Sequence, residues 1–167
     1  MERCYFLGGG GHETIRDFSN VPENAFTFSF VRNPWDRFVS AFVCQKRFIS
    51  AGLDVFDNFV WETGEYPEDG VYRDHFLPQH YFLLDKDGKI GVDYIGHFET
   101  LQRDWAHVCA ILGVREELPH YRKGNRLHYR NYYTPDTWEI VGRLYKGDVD
   151  LFGYGKEVFT PVNAMVG

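Results

Sequence analysis

Within residues 26–49, FTFSFVRNPWDRFVSAFVCQKRFI, the hydrophobic period changes part-way along. That change constrains the fold more than any other feature of the chain. Phe26, Phe28 and Phe30 alternate with Thr27, Ser29 and Val31, which is the period of a strand. Trp35, Phe38, Val39, Phe42, Val43 and Ile49 then recur at helical spacing. Asn33 is a helix-capping residue type, and Pro34 suits a first helical position. The reading is strand, tight turn, helix. Arg32 falls at the strand's carboxyl end, where open α/β sheets place their ligands. The free N–H groups and dipole of a helix start attract anions to such a place. Ser40 shares a helical face with Asn33, Asp36 and Arg37, so Arg32 and Ser40 are candidates to hold one phosphate together. An arginine at a phosphate forms charge-assisted, often bidentate hydrogen bonds worth about 1.5–3 kcal/mol each. A plainer arrangement fits the same pattern: Arg32 pairs with Asp36, and Ser40 is a solvated helix residue.

The chain has 167 residues, 44% of them hydrophobic and 18% aromatic, which is enough for one domain with a real core over residues 1–167. The net charge of −6 argues against a general nucleic-acid binder, which carries a basic footprint. Cys4, Cys44 and Cys109 are few and widely spaced, with neither CxxC nor zinc-site spacing. Cys44 and Cys109 lie within helical apolar patterns, so buried free thiols in a reducing compartment are expected. No stretch approaches the roughly 18 apolar residues of a membrane span, and no signal peptide is visible, so a cytoplasmic location is expected.

Residues 1–7 read as a short strand, followed by the glycine run Gly8 to Gly11 and a loop or short helix in GHETIRDF. The glycines invite a phosphate-loop reading, but His12, Glu13 and Thr14 follow where GK[ST] would be needed. Residues 50–74 hold one apolar patch, VFDNFVW, and then polar sequence; they read as a short helix and a long loop. Glu62, Glu65, Glu68 and Asp69 are expected in solvent. His75, Gln79 and His80 sit in HFLPQHYFL; two histidines five apart without a third ligand make a poor metal site. Residues 86–89, KDGK, are a turn signal, and residues 90–96 read as a strand. Phe98, Leu101, Trp105, Val108, Cys109 and Leu112 then mark a helix that Gly113 stops. Glu99 and Asp104 are expected in solvent or in caps. Residues 118–135 contain no Asp or Glu, whereas Arg122, Lys123, Arg126 and Arg130 are basic and interleave with Tyr121, Tyr129, Tyr132 and Tyr133. This is the local positive patch of an acidic chain. Thr134 and Pro135 start a further helix, with Trp138, Val141, Leu144 and Tyr145 as its apolar stripe.

The run VRNPWDRFVSAF resembles the 3′-phosphate-binding motif of the carbohydrate sulfotransferases, the group of the heparan sulfate 2-O and 6-O and chondroitin 4-O enzymes and their bacterial relatives. The resemblance continues through GHETIRDF, YIGHFETLQRDWAHVCAILGV and HYRNYYTPDTWEIVGRLYKGDVDLFGY, and so covers most of the chain. It implies a three-layer, P-loop-NTPase-like α/β fold, a parallel sheet flanked by helices. It also implies 3′-phosphoadenosine 5′-phosphosulfate (PAPS) as co-substrate, with no metal, and a carbohydrate or other hydroxyl acceptor. The motif's arginine and serine, which hold the 3′-phosphate in the family, match Arg32 and Ser40. His12, 20 residues before Arg32, matches in offset the histidine that deprotonates the acceptor in the 2-O branch. A positioned base contributes about 10²–10⁴-fold in rate. Glutamate serves in other branches, which makes Glu13 a rival. Arg126, Tyr129 and Arg130 match the loop that closes over the nucleotide, and His75 and Gln79 fall in a segment resembling the family's H-x-x-P-Q run, as candidate substrate contacts. The family's opening strand and its lysine-bearing loop, resembling HIPKTGGTS, have no counterpart here, so an N-terminally shortened or non-catalytic relative is the alternative. A P-loop kinase-like phosphotransferase shares the architecture but calls for GK[ST] and paired magnesium carboxylates.

Overall fold

The computed structural model describes residues 13–18, 21–22, 24–44, 53–62, 73–118 and 126–160. The chain divides into two compact units built from interleaved segments: residues 1–32 with 79–122, and residues 33–78 with 123–167.

In the first unit, β1 (Phe28–Val31) pairs in parallel with β2 (Tyr94–His97), in the register Phe28 to Tyr94 and Val31 to His97. Parallel neighbours need a long crossover, and here the connection runs through the other unit's segment 33–78. Both strands are shorter than their sequence patterns. Before β1, the Asp93 carboxylate accepts the Thr27 N–H and hydroxyl, each at 2.8 Å, so side chains tie the two segments where the ladder has not begun. Before β2, Ile90 forms an isolated antiparallel bridge with Leu84, which closes the turn at Asp85–Lys89. Gly88 takes φ +73° in that turn, and the Asp85 carboxylate accepts the N–H groups of Asp87 and Lys89. Gly96 of β2 lies under the ring of its partner Phe30; a Cβ there would come within 2.5 Å of that ring. α4 (Gln79–Leu83) and α5 (Leu101–Leu112) complete this unit. Gly113, at φ +66°, ends α5 as its sequence requires.

Of the two places expected for Asp104, solvent or a cap, burial rules out solvent. It is 3% exposed, and its carboxylate accepts the His97 N–H and the Thr100 hydroxyl at 2.8 Å each, and Arg103 Nε at 2.8 Å. The backbone bond from His97 holds this carboxyl far below the usual carboxylate range, and Arg103 and Thr100 reinforce it. Phe98, the first residue of the apolar repeat that marks the helix, is 45% exposed. It lies in a 3-10 turn, Phe98–Thr100, that precedes α5, so it is out of phase with the helix's buried face of Asp104, Val108 and Cys109.

The second unit holds α1 (Pro34–Cys44), α2 (Leu53–Glu62), α3 (Arg73–Phe76), a 3-10 turn (Tyr129–Tyr132), α6 (Pro135–Leu144) and α7 (Lys146–Leu151). Its core is aromatic. The Trp35 and Trp138 rings stack at 4.4 Å, and the Trp35 indole N–H donates to the Trp138 carbonyl at 2.9 Å. Phe38 packs edge-on against Phe56, Phe76 and Tyr145. Each buried ring removes a large apolar area from water, and edge-on pairs add about 0.5–1.5 kcal/mol beyond that. Polar tips are satisfied: the Tyr133 hydroxyl donates to the Trp35 carbonyl and the Tyr145 hydroxyl to that of Phe76. Cys109 is buried, but Cys44, the last residue of α1, is exposed because it falls off the Trp35–Phe38–Phe42 stripe.

Candidate functional site

Only Arg32 and Asn33 separate β1 from α1. Asn33 does what its residue type predicts. Its Oδ1 accepts the N–H groups of Trp35 and Asp36 at 3.0 and 3.2 Å, capping α1. Arg32 is held at two points. Its backbone N–H donates to Gln79 Oε1 and its carbonyl accepts from Gln79 Nε2, both at 2.8 Å. A primary amide presents a donor and an acceptor side by side, as the edge of a neighbouring strand does. It therefore extends the β pairing by one residue past Val31. The guanidinium carbon lies 4.4 Å from the centre of the Phe98 ring, a cation–π contact. Val31 faces His97 in the ladder, so Arg32 and Phe98 are the next residues on each side.

The other sequence candidates divide. Ser40 is half-buried in α1, one turn beyond Asp36. Arg37, on the same face, donates to the Leu77 carbonyl at 2.7 Å. Asp36, the expected partner of Arg32 in the plainer arrangement, is ion-paired with Arg126. Arg130 is ion-paired with Glu157, donates to the Val158 carbonyl at 2.7 Å and lies 4.9 Å from the Trp138 ring centre. Tyr129 lies in the 3-10 turn, with His128 at 4.5 Å and Trp138 at 6.3 Å between ring centres. Burial pushes its hydroxyl pKa up, so it stays a neutral donor. Within the second unit, Arg126 and Arg130 thus each carry a carboxylate partner. His75 is exposed in α3, whereas Gln79 is 8% exposed with its amide turned to the Arg32 peptide.

His12, Gly8 to Gly11, the acidic residues 65–69 and the basic residues Arg122 and Lys123 lie outside the described residues. Glu13 is exposed, and Thr14 begins a 3-10 turn, Ile15–Asp17, in which the Asp17 carboxylate accepts the Thr14 N–H at 2.6 Å. Among the described residues, no group of three or more His, Cys, Asp or Glu side chains is placed to hold a metal ion, and no helix is long and apolar enough to cross a membrane.

Sequence reasoning missed Phe98 and Asp104. Nothing local marks either. Phe98 comes under Arg32 only through the register of β1 with β2, and Asp104 is buried only because α5 packs on β2.

A family model described as "Sulfotransferase family" matches residues 11–155. An uncharacterised protein of Archaeoglobus fulgidus is 32% identical over 96 residues, which cover 54% of this chain and 70% of that relative. No solved structure matches the chain.

Proposed function

Because the chain belongs to the sulfotransferase family, we propose that it acts with PAPS, transferring the sulfuryl group to a hydroxyl of a carbohydrate acceptor. The observation that carries the reading is Arg32. It follows the last residue of a parallel-paired strand inside the matched segment, with its peptide clamped by Gln79 and its guanidinium resting on Phe98. A preoriented cation at the carboxyl end of a parallel strand suits a phosphate.

In this reading Arg32 and Ser40 bind the 3′-phosphate. Asn33 caps the start of α1, the helix that carries Ser40. His12 takes the acceptor's proton as the new S–O bond forms and the bond from sulfur to the 5′-phosphate breaks. Imidazole is the side-chain type most often used as a general base. Arg126, Tyr129 and Arg130 flank the nucleotide, the two arginines by shaping the segment through Asp36 and Glu157 and Tyr129 by offering a ring and a neutral hydroxyl. Exposed His75 is left to contact the acceptor. The three-layer parallel architecture of the family accommodates the β1–β2 pair as part of its sheet.

The test is calorimetry with adenosine 3′,5′-bisphosphate and with ATP, followed by assay of sulfate transfer from PAPS to a panel of sugars. Binding of the bisphosphate in preference to ATP, with transfer, is expected. Preference for ATP overturns the reading in favour of phosphoryl transfer. Bisphosphate binding without transfer to any acceptor reduces the protein to a nucleotide-binding relative.

A further inference from the structure

We propose that Gln79 and Phe98 are positioning residues that make Arg32 selective for a phosphate at the nucleotide's 3′ position, Gln79 by fixing the arginine's peptide and Phe98 by restraining its guanidinium. The inference rests on the 3′-phosphate role given to Arg32 above, and it adds which side chains restrain that arginine.

Arginine carries a large rotamer entropy, and a residue just past a strand end has lost the ladder that would hold its backbone. Both freedoms are removed here. Gln79 lies 47 residues along the chain, yet both polar atoms of its side-chain amide are spent on the Arg32 peptide at 2.8 Å. It is 8% exposed, so this pairing does not compete with water. From the first turn of α4 a glutamine offers one donor and one acceptor; glutamate would set an acceptor against the Arg32 carbonyl. Phe98 supplies the second restraint. Its ring is 45% exposed, and the ring centre lies 4.4 Å from the guanidinium carbon. A cation held against a ring loses part of its rotamer freedom, so less ordering remains when an oxyanion binds. The β1–β2 register brings the two residues opposite each other, and Asp104 fixes the end of β2 through the His97 N–H next to Phe98.

The experiment measures the affinities of adenosine 3′,5′-bisphosphate and adenosine 5′-phosphate for the full chain and three variants. Gln79→Met keeps the length and removes the amide; Phe98→Leu removes the ring from an exposed position; Arg32→Ala removes the cation. With the bisphosphate, Gln79→Met is expected to raise Kd about tenfold and Phe98→Leu about threefold, the size of one lost peptide restraint and of one exposed cation–π contact. Neither variant should change the affinity of adenosine 5′-phosphate, which lacks the group Arg32 binds. A general structural role would weaken both ligands alike. If Arg32→Ala loses the preference for the bisphosphate while Phe98→Leu and Gln79→Met keep it, the positioning role is overturned and the role of Arg32 stands. If the wild-type protein shows no preference for the bisphosphate, both fall. Should Gln79→Met not fold, Phe98→Leu alone decides.

Discussion

The carboxylate of Asp104, in the first turn of α5, accepts the backbone N–H of His97, the last residue of β2, at 2.8 Å. One buried side chain therefore ties the strand end to the helix that follows it. Its folded pKa is depressed, so its contribution is fully present above the ordinary carboxylate pKa of about 4 and is lost as pH falls below it. Thermal melts are expected to show falling stability below about pH 4. In Asp104→Asn that loss should be reduced and stability at pH 7 lower by about 2 kcal/mol, since an amide cannot serve all three donors. A variant that melts like wild type at pH 7 would remove Asp104 from this role.

Asp57 of α2 has the opposite sign. Its Oδ1 is the one buried side-chain polar atom among the described residues that lacks a partner, and burial raises its pKa, against a hydrogen bond with Thr137. A raised folded pKa means that its protonated form favours the fold, so stability falls as pH rises through the carboxylate range. Asp57→Asn is expected to stabilise the protein by about 1 kcal/mol at pH 7 and to make little difference at pH 4. Equal melting temperatures for both proteins at the two pH values would contradict this.

Gly96 owes its identity to a neighbour. A methyl group there would stand 2.5 Å from the Phe30 ring, across an inner pair of the β1–β2 ladder. Gly96→Ala should cost about 1–3 kcal/mol by forcing that ring off its rotamer. Gly96→Ala combined with Phe30→Leu should recover part of the loss, and urea unfolding of the pair measures the coupling.

Arg126 and Asp36 form an ion pair with side chains 18% and 15% exposed. Arg126→Ala leaves Asp36 at the positive end of α1, which offsets part of the lost attraction. The expected cost is about 1–2 kcal/mol of stability, smaller than for a fully buried pair. Asp36→Ala should cost a similar amount, and the double variant less than the sum. Strict additivity in denaturant titrations would mean that the pair contributes nothing.

Arg32→Ala is expected to abolish measurable binding of adenosine 3′,5′-bisphosphate while shifting the melting temperature by less than Asp104→Asn does. Its half-buried side chain packs on an exposed ring and not in the core. Unchanged affinity in calorimetry would remove it from the proposed site.

The local grammar of the chain was legible without coordinates. The change from period two to period 3.6 around Asn33, the Asn33 cap, the Thr134–Pro135 start of α6 and the Gly113 stop are written within three or four residues of where they act, because strand alternation, capping and left-handed glycine are short-range effects. The aromatic stripes of α1 and α6 likewise announced which faces would be buried. Tertiary structure decided the rest. Gln79 reaches the Arg32 peptide across 47 residues and Arg126 reaches Asp36 across 90. Phe98 lies under Arg32 through strand register alone, and Asp104 is buried because a helix covers a strand end. None of these partners carries a local signal, since a glutamine, a phenylalanine or an aspartate reads the same in any exposed helix until pairing sets its neighbours and burial makes its hydrogen bonds obligatory.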